Sequence, residues 1–428
     1  MVSNLIRNSL LLAALAVPVV VSAADDVPLT LTRSVQLAVS QSRLVEAQRQ
    51  QGVAAREMAV SAGQLPDPVL KLGINNLPIN GEDRFSLTQD FMTMRSIGVM
   101  QELTRDAKRQ ARSARFQREA ETAEAAGELT SAKVQSGTAM AWLDRYYQER
   151  ALDLLLRQKT ETLLQVDAAD AGYRGGRGSQ SDVFAARTAV AQVEDRIAQA
   201  RRQVVTAKSQ LARWVGAVAE QRQSDLPAMD VLRWHEADLD TQLQHHPQIT
   251  VMEKQEAVAQ ADADLARANK KSDWSLEVMA SQRGSAYSDM VSVNFSLPLQ
   301  WDAKNRQDRE LAAKLAVVDQ LRAEREDAVR AHVFEVRAML QEWQSNRDRL
   351  KRYDASILPL ATERTQAALA AYRGGVSGGG TLSAVLEARR AEIDSRMEYL
   401  RLEMETARLW AQLNYLTPMA NNTAASNP

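Results

Sequence analysis

Few side chains in this sequence have the types and spacing for chemistry. The 428 residues include four histidines and no cysteine. His245 and His246 are adjacent, so on a helix they would point about 100° apart. No carboxylate-histidine spacing of the zinc-enzyme kind surrounds them. We therefore predict that they form a solvated helix end and not a metal site.

Methionines offer the other possible ligands. Met92 and Met94, with Met100 nearby, have thioethers that suit Cu(I) or Ag(I), and the first two would share one face of an extended segment. Methionine is also a common gap-filler in apolar packing. We predict no metal site, with Met92 and Met94 as the only candidates.

Two glycine-rich stretches, "YRGGRGSQSDVFAAR" (173–187) and "YRGGVSGGGTLSAVLEAR" (372–389), resemble phosphate loops only superficially. Neither has the Gly-x-x-x-x-Gly-Lys-Ser/Thr pattern, and each follows a helical segment. Glycine after a helix accepts the conformation that ends it, and Ser179 with Asp182 is typical of a capping box. The one Gly-x-Ser-x-Gly match, at 375–379, also follows a helical segment and not the strand that a hydrolase elbow requires. The carboxylates lie mostly on charged helix faces, where solvation is their usual role. We predict no enzyme activity, no catalytic residue and no cofactor.

These turns belong to an internal duplication. "DAK" at Asp106 and "YRGG" at Tyr173 both return about two hundred residues later. Each half has the order helix, strand, strand, very long helix, turn, helix. We predict repeats at 30–216 and 240–417, joined by a linker at 217–239 and followed by a flexible tail at 418–428.

Periodicity sets the elements. The first helix is predicted over Ser34 to Ala62, and the long helices run from Asp106 to about Gly172 and from Asp302 to about Tyr372. Alternation of polar and apolar residues predicts strands; they cover 69–74, 96–103, 275–280 and 290–299. Heptad-like stripes on the return helices predict coiled-coil packing. The fold class is mainly α with a small β part.

The N-terminus and the charge limit the location and the partners. Residues 1–23 have the basic, apolar and small-residue pattern of a signal peptide, with cleavage after Ala23. A net charge of −1 disfavours nucleic-acid binding. Four strands leave open edges, so closure in a membrane requires several subunits. Three chains would supply twelve strands.

The order of parts resembles the TolC-like family of outer-membrane efflux ducts. Its motif Tyr-x-x-Gly-x-x-Ser-x-x-Asp-Val is matched from Tyr173 to Val183; in the second copy Thr381 replaces the serine and Ala384 the aspartate. The resemblance implies a homotrimer with a 12-stranded trans-subunit β-barrel in outer-membrane lipid. It also implies a long α-helical coiled-coil tunnel through the periplasm of a Gram-negative bacterium. An equatorial band would include residues 217–239 and the tail.

Two segments, "LPDPVLKLGINNLP" (65–78) and "FMTMRSIGVMQEL" (91–103), are similar to the heavy-metal branch, the CzcC-like and CusC-like ducts. This implies export of heavy-metal cations with an inner-membrane RND (resistance-nodulation-division) pump and a periplasmic adaptor (membrane fusion) protein. The alternatives are a duct for drugs or type I protein secretion, and a periplasmic coiled-coil scaffold or adhesin without a pore. Predicted strands speak against the scaffold.

The resemblance further implies that the turns are the periplasmic tips, where the adaptor docks and the tunnel narrows. The implied docking residues are Tyr173, Arg174, Gly175, Gly176, Gly178, Ser179, Asp182, Tyr372, Arg373, Gly374, Gly375 and Thr381.

Overall fold

The computed structural model describes residues 28–176, 178–233, 245–374 and 380–419. The predicted signal peptide, part of the linker and most of the predicted tail lie outside these ranges. Within them, no helix has both the length and the apolar content that crossing a membrane requires.

The described chain repeats one series of elements. The first series is α1 Leu31–Gln41, α2 Arg43–Ala62, β1 Val69–Asn75, β2 Met94–Leu103, α3 Asp106–Arg174 and α4 Gln180–Val215. The second is α5 Pro247–Asn269, β3 Trp274–Gln282, β4 Met290–Ser296, α6 Gln307–Arg352, α7 Leu358–Gly374 and α8 Leu382–Asn414. The predicted mainly helical fold with a small β part is confirmed.

The first helix differs from its prediction. It begins at Leu31 and is broken at Ser42, where the backbone is extended with ψ 111°. The Ser42 hydroxyl accepts a hydrogen bond from the Val45 amide at 3.3 Å and so starts α2. Serine competes with helical hydrogen bonds in this way, and the apolar pattern does not reveal it.

The long helices differ between the repeats. α3 is an unbroken helix of 69 residues, about 100 Å long at 1.5 Å per residue. In the second repeat the predicted start at Asp302 is wrong, because residues 301–306 form turns and α6 begins at Gln307. A π-helical turn, Tyr353–Ile357, then separates α6 from α7. Pro359 follows this turn; a proline lacks the N–H and crowds the carbonyl four residues earlier.

The four strands form one antiparallel sheet in the order β1-β2-β3-β4. The pairing of β2 with β3 joins the two repeats within this sheet. β4 ends at Ser296, earlier than the predicted 299, and Pro298 nearby has no N–H to continue a ladder. β1 and β4 are the sheet's edges in the single chain.

A core cluster ties the helices to the segments before, between and after the two repeats. The buried Trp142 indole donates to the Leu29 carbonyl at 2.9 Å, and the Gln223 amide donates to the Trp142 carbonyl at 2.8 Å. At the other end of the chain, the Met419 N–H donates to Gln135 Oε1 at 2.7 Å. Residue 419, the second of the predicted tail, is therefore held by α3.

The predicted stripe on α4 is buried as expected for helix packing. Its buried members are Val193, Ile197, Ala200, Val204, Ala207 and Leu211. Alanine side chains permit close approach of the helices, and the larger ones fill the space between α3 and α4.

Candidate functional site

The two tip turns lie side by side at one end of the helical hairpins. Leu382, at the start of α8, packs in one buried cluster with Ala169 of α3 and Val183 of α4. Tyr372 of α7 is partly buried against the same cluster. The turns that sequence repetition singled out are thus neighbours within one chain.

The first turn requires glycine at a defined position. Gly175 caps α3, with its N–H donating to the Ala171 carbonyl at 3.0 Å. Gly176 has φ +68° and no atom within 4 Å of the place that a Cβ would occupy. Glycine is therefore favoured there by the backbone conformation alone, because residues that carry a side chain rarely adopt it. The Gly178 N–H returns to the Gly172 carbonyl at 3.0 Å and closes the turn.

Ser179 and Asp182 form a complete capping box at the start of α4. The Asp182 N–H donates to Ser179 Oγ at 3.2 Å, while the Ser179 N–H donates to Asp182 Oδ2 at 2.8 Å. The predicted capping box is confirmed. It satisfies two backbone donors that a helix N-terminus would otherwise leave open.

The second turn is capped less fully. Thr381 Oγ1 accepts a hydrogen bond from the Ala384 N–H at 3.2 Å, and the alanine has no carboxylate to return. A Cβ on Gly380 would collide with the Ala371 carbonyl, so this glycine is needed for close approach. Gly375, one of the predicted docking residues, lies outside the described residues.

The exposed side chains described at the first tip include a tyrosine and an arginine. Tyr173 is 48% exposed. The Arg174 guanidinium is 79% exposed and lies 2.6 Å from Asp170 Oδ2. An aromatic ring beside a cation in open solvent is a surface that a protein partner can contact.

A buried carboxylate holds the second hairpin together below its turn. Glu392 of α8 lies 3.1 Å from Thr362 Oγ1 of α7, 2.9 Å from Arg396 and 3.0 Å from Arg389. Burial opposes its ionisation, but hydrogen bonds from Thr365 and Arg396 and the charge of Arg389 outweigh burial and keep the pKa of Glu392 below its usual range. Sequence patterns did not reveal this residue, because a glutamate on a charged helix has no distinguishing spacing.

The sheet, which lies at the end of α3 away from the tips, has two unlike faces. Residues paired directly across strands point to the same side. One row joins Leu70, Val99, Val278 and Val293. All four side chains are exposed, and Val293 is 65% exposed. This face is apolar and uncovered in the single chain.

The opposite face is polar and more crowded. Lys71 Nζ on β1 lies 2.5 Å from Glu277 Oε2 on β3, across the intervening strand. Gly98 lies between them on β2, where a Cβ would sit 2.8 Å from the Val278 carbonyl oxygen. Ser96 and Ser281 on this face are buried. Such an arrangement fits a curved sheet with its polar side inward.

The candidate methionines do not come together as the extended prediction required. Met92 lies in a turn after Asp90, whose carboxylate accepts its N–H at 2.7 Å, and is 45% exposed. Met94 is the first residue of β2. Within the described ranges no group of three or more His, Cys, Asp or Glu side chains could hold a metal ion.

The prediction of a solvated histidine pair is wrong for His246. It is 7% exposed, and its ring lies 4.1 Å from that of His332 on α6. It also begins α5, accepting the Gln248 N–H on Nδ1 at 3.2 Å. Burial and the neighbouring imidazole lower the pKa of His246 to about 4. His245 is exposed.

Comparison with known proteins finds one family that part of the chain resembles. Residues 239–417 match the family described as outer membrane efflux protein. No curated protein sequence matches the chain.

Solved structures extend the likeness to nearly the whole chain. The outer-membrane channel OprN shares 18% identity at a TM-score of 0.76, over 91% of this chain and 90% of that one. CusC shares 16% sequence identity at a TM-score of 0.76, over 91% of this chain and 92% of that one. The outer membrane protein VceC of Vibrio cholerae shares 17% sequence identity at a TM-score of 0.71, over 90% of this chain and 95% of that one. At such identities the shared property is the fold.

Proposed function

We propose that this chain belongs to the outer membrane efflux protein family, whose model it matches over residues 239–417, and works as the channel of a tripartite RND-type efflux system. As a homotrimer it would form a passage from the periplasm to the outside, exporting heavy-metal cations. It performs no chemistry itself, since its family and structural relatives are transport ducts.

The observation that carries this proposal is the position of the amphipathic sheet. The apolar face, on which Val278, Val293 and Val291 are 46%, 65% and 74% exposed, is larger than a soluble surface normally leaves open. It suits contact with lipid, while the polar face with Lys71 and Glu277 suits a water-filled interior.

The unpaired edges support the trimer. β1 and β4 each have a neighbour on one side only, and open backbone groups in lipid are costly. Pairing of β1 in one chain with β4 in the next would satisfy both edges. Three copies would then close a sheet of twelve strands, the number that the resemblance implies.

The tips supply the proposed docking surface for the periplasmic adaptor. Tyr173 and Arg174 are exposed beside two glycines that leave the backbone accessible. In a trimer six such turns would alternate around one end, three with a full capping box and three without. Replacing Arg174 by Glu should weaken adaptor binding. Arg202→Glu, an exposed arginine midway along α4, is the matched control.

Heavy-metal cations are the proposed cargo because residues 65–78 and 91–103 resemble the heavy-metal branch. A strain lacking its own efflux channel, complemented with this gene and its neighbouring pump genes, tests the cargo. Tolerance to metal salts should rise, and tolerance to organic drugs should not. If tolerance to organic drugs rises and tolerance to metal salts does not, the proposed cargo is wrong, but the proposed channel is not contradicted.

Conductance in a planar bilayer tests the channel. Glu392→Ala removes the carboxylate that joins α7 to α8, so the tips should loosen and the conductance should rise above that of the wild type. Glu363→Ala removes an exposed acid on α7, in the same hairpin, and should leave conductance unchanged. A purified protein that never conducts, with or without the Glu392 substitution, would overturn the proposed function.

A further inference from the structure

Four methionines interrupt the polar face of the sheet. That face is otherwise made largely of Lys71, Glu277, glycines, serines and asparagines. Thioether side chains gain nothing from water there, and apart from Val69 the other apolar residues of the paired strands point to the opposite side. The pairs that place the methionines on the polar face are Met94 with Asn75, Met100 with Glu277, Met279 with Gly98, and Met290 with Ser281.

Met100, Met279 and Met290 form a diagonal across three adjacent strands. Met279 on β3 is paired with Ser292, two residues from Met290 on β4. On its other side Met279 is paired with Gly98, two residues from Met100 on β2. Diagonal neighbours of this kind are about 7–8 Å apart, within reach of long side chains. Each consecutive pair can therefore direct two sulfur atoms at one point.

The surroundings leave the thioethers accessible. Gly98, opposite Met279, has no side chain to cover it. Met290 is 45% exposed, and Met100 and Met279 are partly exposed. The carboxylate nearest the diagonal, Glu277, already binds the Lys71 ammonium at 2.5 Å. The Glu277 carboxylate is thus occupied by its ion pair, and the methionine sulfur atoms remain as possible metal ligands.

We propose that Met290, Met279 and Met100 form a binding track for soft monovalent cations, Cu(I) or Ag(I), on the inner wall of the channel. Thioethers select such ions over harder divalent ones. This inference deepens the proposed function, since it names the class of metal cargo and rests on the polar face lining a passage. Two sulfur ligands per ion give weak binding, as transit through a passage requires.

The test is a silver titration of the detergent-solubilised full chain, labelled with 13C at the methionine methyls. Silver nitrate in chloride-free buffer should shift and saturate the three methyl signals of Met100, Met279 and Met290, assigned by single leucine variants. The triple variant M100L/M279L/M290L should bind silver at least about tenfold more weakly, the scale on which even outer ligands affect metal affinity. Zinc nitrate should leave the three signals in place.

Leucine keeps the apolar volume, so the sheet should tolerate the change. The matched control is M58L/M92L/M252L, which alters three methionines outside the sheet and should bind silver like the wild type. Silver affinity that is equal in the wild type and in the triple variant would overturn the proposal, as would shifts confined to other methionines. Bilayer conductance is measured on the same samples. If every sample conducts normally while silver affinity is unchanged, the track is refuted and the channel stands.

Discussion

One pair of side chains separates the two tip turns. Ser179 and Asp182 exchange hydrogen bonds at 2.8 Å and 3.2 Å, whereas Thr381 receives one from Ala384 and has no acid to return it. The sequence predicted this pair from its spacing alone, since a capping box is purely local. It could not predict that Tyr372 would pack beside the first turn, because that contact joins residues far apart in the chain.

Exchanging the capping acids should exchange the stability of the two tips. Asp182→Ala should destabilise the first turn of α4 by about 1 kcal/mol, and Ala384→Asp should stabilise the first turn of α8 by a similar amount. Hydrogen exchange measured by mass spectrometry on peptides over 180–186 and 382–388 checks both. Peptides over 195–205 are the internal control. Unchanged exchange at both tips would contradict the capping account.

His246 predicts a pH dependence. Its pKa is about 4 in the fold, against about 6.5 in an unfolded chain, so between these values the unfolded chain binds more protons. Stability should therefore fall as the pH drops from about 7 towards 4, by on the order of 2 kcal/mol. Lys133 and His332 face the ring and disfavour its protonation, while the Leu416 backbone favours it.

The variant that checks this is His246→Asn, which keeps a good helix cap but does not titrate. Thermal unfolding at pH 7.5 and pH 5 should show a smaller loss of Tm in the variant than in the wild type. Acid affects other groups equally in both proteins, so the difference between them isolates the histidine. Equal losses would show that His246 does not couple protons to folding.

At the scale of elements, the two long helices show what periodicity can and cannot predict. α3 runs unbroken from Asp106 to Arg174, close to its prediction, because no proline interrupts the pattern. The second long segment contains Pro359, and its π turn follows from backbone hydrogen bonds that side-chain spacing does not report. Leu358 N–H bonds to the Tyr353 carbonyl, one residue further back than in an α-helix.

Pro359→Ala should restore regular hydrogen bonding between α6 and α7. An alanine provides the N–H that proline lacks and removes the ring that crowds the preceding turn. Backbone amides of 353–358 should exchange more slowly, by a factor of about ten if about 1.4 kcal/mol is recovered. Pro298→Ala, outside the helices, is the control. If exchange is unchanged, the bond from the Tyr399 hydroxyl to Asp354 Oδ2 at 3.1 Å is the better explanation for the wide turn.

At the scale of the whole molecule, the sheet was predictable as four strands but not as a surface. Alternation in 69–74 separated Leu70 and Leu72 from Lys71 without showing which side faces water. The register supplies that answer, because it aligns residues from both repeats: Leu72 with Ile97, then Ala280 and Val291. A face assembled from distant segments becomes visible only when the strands are paired.

This face predicts how charges will be tolerated. Val291 and Ser292 are adjacent on β4 but point to opposite sides, and Val291 is 74% exposed on the apolar side. An arginine on the lipid-facing side of a membrane sheet costs about 2–4 kcal/mol near the middle of the bilayer. Val291→Arg should therefore reduce the amount of protein recovered in outer-membrane fractions. Ser292→Arg, which adds the same charge on the polar side, should be recovered like the wild type. Equal recovery of both variants would mean that the apolar face does not contact lipid, and the proposed position of the sheet in the outer membrane would have to be abandoned.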